Sequence, residues 1–235
     1  LYNTINFINC PIERLIEDGK NMGIRNLLKT PIFWLMILLM VCSGASEASM
    51  AQWASGYLEQ AFAIPKVWGD IFGVALFSVM LGLGRSMYAK FGKNVSKVLL
   101  LCAIGATICY LTAAISPLPI IGLIACAFTG LCTSMLWPGS LIVGADRFPE
   151  SGIFIYAAMA AGGDLGASIA PQLVGLISDF TIANEQLSSL AVSMGLTPDS
   201  LGMKLGMLAG MLFPLAAIVL YSFIRRGRKA SGFET

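Results

Sequence analysis

Two carboxylates stand alone in apolar surroundings: Glu47 and Asp164 each lie near the middle of a long stretch almost free of charge. A carboxylate at bilayer depth costs about 2.5–3.5 kcal/mol on insertion scales, so it is retained there either to bind a solute or proton or to form a buried pair with a base. No Lys or Arg is read deep enough in these stretches to pair with either. The expected partner is therefore a ligand, a proton or another part of the protein. Around Asp164 the residues fall into two rows. Ala158, Gly162, Gly166 and Ala170 recur at spacing four, which lets helix backbones approach closely. Tyr156, Asp164, Ser168 and Gln172 form a second row two residues out of phase. Two residues turn a helix by about 200°, so the small row is expected to pack and the polar row to face water.

Glu47 sits in a run of small residues, Ser43-Gly44-Ala45-Ser46-Glu47-Ala48-Ser49, with Gln52 and Trp53 one turn on. Such a run suits a helix that bends around a site. Gln52 is about 140° from Glu47 on a regular helix, so the two need not share a cavity. Thr133, Trp137 and Ser140 recur at i, i+4 and i+7, a face suited to a sugar ring or other amphipathic solute; lipid contact or helix packing explains a membrane Trp equally well. Pro138 removes the backbone bond to Ser134 and is expected to kink the chain there.

The elements that must position these residues follow from composition. The chain is 57% hydrophobic and only 12% charged, with mean hydropathy +0.78. Soluble domains carry about 25% charged residues, so this chain has too few charges to cover a soluble surface. Crossing a hydrocarbon core of roughly 30 Å takes about 20 apolar residues. Six stretches approach or exceed that length, at 32–57, 67–89, 97–115, 118–145, 152–178 and 202–224, here called spans one to six. Residues 1–30 read as a polar, water-exposed linker with a short helix around Ile24 to Leu28, residues 31–229 as the six-helix bundle, and residues 230–235 as a tail. Within the connection 179–201, Leu187, Leu190, Ala191 and Met194 repeat at helical spacing between Asn184, a candidate N-cap, and Gly195, a candidate stop. A short amphipathic surface helix is expected there; an ordinary structured loop is the alternative.

Of the 15 Lys and Arg, only Lys66 and Lys204 fall on one side of this topology. The others lie in the lead-in, in the connections after spans two and four, and in the tail. The positive-inside rule then places both ends of the chain in the cytoplasm, in a multi-pass cytoplasmic-membrane protein. No basic face suits nucleic acid. With no histidine, His-based metal sites and His proton relays are excluded. Of the six cysteines, Cys42, Cys102, Cys109, Cys126 and Cys132 lie in apolar stretches without metal-site spacing and read as buried small hydrophobes. No nucleophile–base pair is visible, so an enzyme is not expected, nor is a cofactor.

Six spans with both ends inside resemble one half of the major facilitator superfamily, whose carriers pair two six-helix bundles built of inverted three-helix repeats. Lys29-Thr30-Pro31-Ile32-Phe33-Trp34 looks like the junction into its seventh helix. Met135-Leu136-Trp137-Pro138-Gly139 looks like the tenth helix of fucose-permease-like bacterial carriers. Gly162-Gly163-Asp164-Leu165-Gly166, with Pro171 and Gly175-Leu176-Ile177-Ser178-Asp179, looks like their eleventh. The superfamily's cytoplasmic motif G-x-x-x-D-R-x-G-R-K survives only as Lys90-Phe91-Gly92-Lys93. Ala89 stands where the acid belongs and Arg85 where the first Gly belongs.

The resemblance implies an N-terminal six-helix half upstream, in keeping with a chain that opens on Leu1. It also implies spans one and four along a central cavity, two and five at the seam, and three and six toward lipid; span six, without charge between Lys204 and Tyr221, reads as lipid-facing. The expected function is secondary active transport of a small solute by alternating access, coupled to protons through a carboxylate. A half-size homodimeric channel or scaffold is the alternative. Expected partners are the solute, protons, membrane lipids and the other half. The candidate binding residues are Glu47, Asp164, Trp137, Thr133, Gln52, Tyr156, Ser168 and Gln172, with Arg85, Lys90, Gly92 and Lys93 as the loop motif.

Overall fold

The structure, a computed structural model, describes residues 23–230 and Ile8, with side chains as far as Ile224. The basic residues read in the lead-in before Gly23, the basic side chains of the C-terminal end and the tail 231–235 lie outside the described residues. The described chain is all-helical, and six of its helices are long and apolar enough to cross a membrane: Pro31–Phe62, Lys66–Phe91, Val95–Ile115, Pro119–Arg147, Ile153–Ala183 and Pro198–Ile224. They coincide with the six apolar stretches and overrun most of them by a turn or so at one or both ends.

Local chemistry sets the boundaries. The helix Ile24–Leu28 leads into span one, and Trp34 Nε1 donates to Leu28 O at 2.9 Å, pinning the entry. Span one ends where Ala63 turns left-handed, at φ 55°, just before Pro65. Span two opens with a wide π-helical turn over Gly69–Ala75, where Gly69 and Gly73 lie against the span-one backbone at Ser55 and Ala54. Asn94 caps span three by accepting from Lys97 N at 3.0 Å. Span four breaks at Ser134 and Met135, where Pro138 removes the next hydrogen bond.

The expected surface helix is present as Glu185–Ser193. Asn184 Oδ1 accepts from Gln186 N and Leu187 N, and Gly195 at φ 72° stops it. Its apolar row divides: Ala191 is buried, whereas Leu190 and Met194 are exposed.

Span one is the hub. It packs on span five most extensively and also on spans two, four and six. Span four packs on spans two, three and five, and span six on three and five. Two buried clusters fill the interior. One holds Phe33, Met40, Leu136, Met159 and Tyr221, the other Met50, Tyr57, Tyr110, Cys126 and Met207. Their hydroxyls are satisfied: Tyr57 donates to Ala113 O at 2.6 Å and Tyr110 to Ser46 O at 2.8 Å.

Span six has two distinct faces. Leu212, Val219 and Phe223 are exposed, but Met203, Met207, Ala217 and Tyr221 are buried on the opposite side. Lys204 does not belong to a connection either. It lies inside span six, nearly buried, donating to Ser116 O at 2.7 Å with its ammonium 5.5 Å from the Phe62 ring centroid. Its four-carbon stem packs apolar surface while its head finds a carbonyl, which lets a lysine sit within an apolar helix.

Candidate functional site

Glu47 has a partner, and it is Arg85. Arg85 Nη2 lies 3.3 Å from Glu47 Oε1 and 3.4 Å from Oε2. The expectation that no base in the spans reaches either carboxylate is therefore corrected, and so is the placement of Arg85 in a connecting loop. Arg85 stands within span two, six residues before its end at Phe91. The reason is directional. In a helix every Cα–Cβ bond leans toward that helix's N-terminus. Spans one and two run antiparallel, so Glu47 leans toward the start of span one and Arg85 leans away from the end of span two. The two side chains close the gap between them.

A third group completes the arrangement. Arg85 Nε donates to Ser134 O at 3.2 Å. Ser134 O is the carbonyl that a residue with an N–H at position 138 would have engaged, and Pro138 leaves it free. The proline break in span four thus supplies the acceptor that orients the guanidinium, and three spans meet at one ion pair. The pair is half open: the Arg85 side chain is 46% exposed and the Glu47 side chain 25%. A neutral pair at mid-span with one side on an open surface can exchange its partners, which a sealed ion pair cannot.

The span-five rows separate as their spacing predicts. Gly162 lies against Ile37, Gly166 against Val41, and Gly163 against Trp137 and Met40, while Ala170 is buried. Tyr156, Asp164, Ser168 and Gln172 are all exposed along the other side of the helix. Ser168 Oγ donates to the Asp164 carbonyl oxygen at 2.8 Å. No hydrogen bond or ion pair among the described residues reaches the Asp164 carboxylate or joins this row to Glu47. Gln52 is exposed on span one.

The span-four face behaves differently. Thr133 is fully buried, its hydroxyl donating to Thr129 O at 2.9 Å. Ser140 is also buried and bonds Tyr221 Oη at 2.7 Å, beside Ser43. Ser140, Ser43 and Tyr221 tie spans four, one and six together, whereas the Thr133 hydroxyl bonds only within span four. Trp137 is half-buried, its indole nitrogen against Gly163. Thr133 and Ser140 are thus covered by their neighbours, while Trp137 keeps part of its surface exposed. Lys90, Gly92 and Lys93 are exposed at the junction of spans two and three.

Sequence reasoning placed Arg85 in the loop motif rather than beside Glu47, and missed Ser134 as its support. The signal was present in Pro138, which frees the carbonyl of Ser134 within a buried stretch of span four. No family model, curated protein or solved structure matches this chain. Among its described residues the chain is all-helical, with six helices long and apolar enough to cross a membrane.

Proposed function

We propose that this chain is the C-terminal six-helix half of a major facilitator-type carrier, moving a small solute across the cytoplasmic membrane by alternating access driven by protons. The observation that carries the reading is the half-open Glu47–Arg85 pair at mid-span, oriented by a carbonyl that a proline releases. Charged groups at that depth are costly, and an exposed side on such a pair gives a solute or proton something to exchange with.

The packing supports the family part. Exchanging spans one, two and three with four, five and six carries the one–five contact onto four–two, the three–four contact onto six–one, and one–two onto four–five. One–four and three–six map onto themselves. This is the pattern two inverted three-helix repeats would produce. The exposed polar row of span five and Gln52 of span one supply further surface for a cavity completed by a second bundle.

Asp164 is the test residue. Asp164→Asn is nearly isosteric and removes a charge that is costly in a membrane, so the melting temperature of the carrier is expected to hold or rise. Proton-driven uptake by the carrier that contains this chain should be lost or shifted in its pH dependence. Normal uptake with an unchanged pH profile would remove Asp164 from the mechanism, and loss of folding would make it a structural residue.

A further inference from the structure

One contact breaks the exchange pattern of the bundle. Spans five and six pack closely, but their counterparts, spans two and three, do not. Between them lies a cleft of about 270 Å³, floored by Leu131 of span four and walled by Met87, Tyr88, Phe91, Val98 and Cys102. Its lining is almost wholly apolar. Next in the chain to its lining residues Phe91, Gly92 and Val98 stand Lys90, Lys93 and Lys97, all exposed, with the Lys90 ammonium 5.4 Å from the Phe91 ring centroid. The same point is the N-terminus of the 21-residue span three. There Asn94 satisfies Lys97 N and leaves the amides of Val95 and Ser96 without an intrahelical partner. Asp146 and Glu150, at the same end of the bundle, make no ion pair with these lysines among the described residues.

We propose that this cleft is a binding site for an anionic phospholipid, one acyl chain lying between spans two and three and the phosphate held by Lys90, Lys93 and Lys97. The occupant follows from the two ends of the site. The slot is apolar along its length, whereas the chain beside its Phe91–Val98 end carries three cations and the first amides of span three. A basic cluster at a helix end attracts anionic headgroups by about 1 kcal/mol per lysine, or roughly fivefold in affinity for each. A soluble anion would use the lysines and leave the slot empty; a zwitterionic lipid would use the slot and gain little from the lysines.

The test is native mass spectrometry of the purified chain with phosphatidylglycerol and phosphatidylcholine of identical acyl chains. Phosphatidylglycerol is expected to bind at least tenfold more tightly. The triple variant Lys90→Gln, Lys93→Gln, Lys97→Gln should erase that preference, and Val98→Trp, which fills the slot, should weaken both lipids. Equal binding of the two lipids to the unaltered chain would overturn the proposal. So would a Val98→Trp variant that keeps full phosphatidylglycerol binding, since the lysines would then act as a diffuse surface charge. A photoreactive diazirine on the acyl chain of phosphatidylglycerol checks the site without any substitution. Label concentrated within residues 84–102 and around Leu131 is expected, and label spread over the exposed faces of spans three and six would overturn the site.

Discussion

Glu47→Gln and Arg85→Gln, made singly, are each expected to lower the unfolding free energy by about 2–3 kcal/mol, and the double variant by well under the sum. Each single change strands a charge at mid-span, where insertion scales put the cost at about 2.5–3.5 kcal/mol. Breaking a sealed pair costs about 3–5 kcal/mol. This pair is 46% and 25% exposed on its two sides, which brings the figure below that for a sealed pair. The double variant leaves two neutral amides within reach of each other and of Ser134 O, so most of the loss should return. Chemical unfolding of the purified wild type, both singles and the double closes the cycle. Strict additivity would mean that the two side chains do not interact in the membrane.

Gly166→Ala should destabilise the bundle by about 3 kcal/mol, while Gly82→Ala changes stability little. A Cβ on Gly166 would lie 2.8 Å from the Val41 carbonyl carbon and closer still to its oxygen. Gly44 meets the backbone of Gly163 in the same way. Backbone cannot swing aside as a side chain can, so an added methyl must push spans one and five apart along their largest contact. Gly82 has nothing within 4 Å of such an atom, and alanine is the better helix former there. Thermal melts in one detergent compare the two substitutions directly. Equal effects at Gly166 and Gly82 would show that the small row of span five does not seat on span one.

Much of this architecture is legible in the residues themselves, for reasons that are local. Apolar length sets the six helices because nothing shorter spans a bilayer. Asn184 and Gly195 bound the connecting helix because a side-chain cap and a left-handed residue act within one turn. The Gly162–Gly166–Ala170 row packs because spacing four fixes a helix face whatever lies opposite.

The illegible parts depend on direction and neighbours. Arg85 looked like a loop residue by its distance from a helix end, yet its side chain leans toward the middle of the bundle. Lys204 looked like a boundary charge, yet Ser116 O and Phe62 make room for it inside span six. Thr133 and Ser140 read as part of a face that could suit a solute or pack, because sequence spacing gives the face but not what covers it. Here Tyr221 and span one cover it. The loose packing of spans two and three left no trace in either span's own residues.

The most direct test of the central claim, that one side of this bundle borders a water-filled solute path, is cysteine accessibility along span five. In the carrier containing this chain, freed of native cysteines and kept in its membrane, Ser168→Cys and Gln172→Cys are labelled with a hydrophilic thiol reagent. Leu101→Cys and Ile108→Cys on the exposed side of span three serve as lipid-facing controls. The account predicts labelling of the two span-five positions at least tenfold faster than of the controls. Labelling of Ser168→Cys and Gln172→Cys as slow as that of the controls would place the row in lipid or in a sealed interface and contradict it.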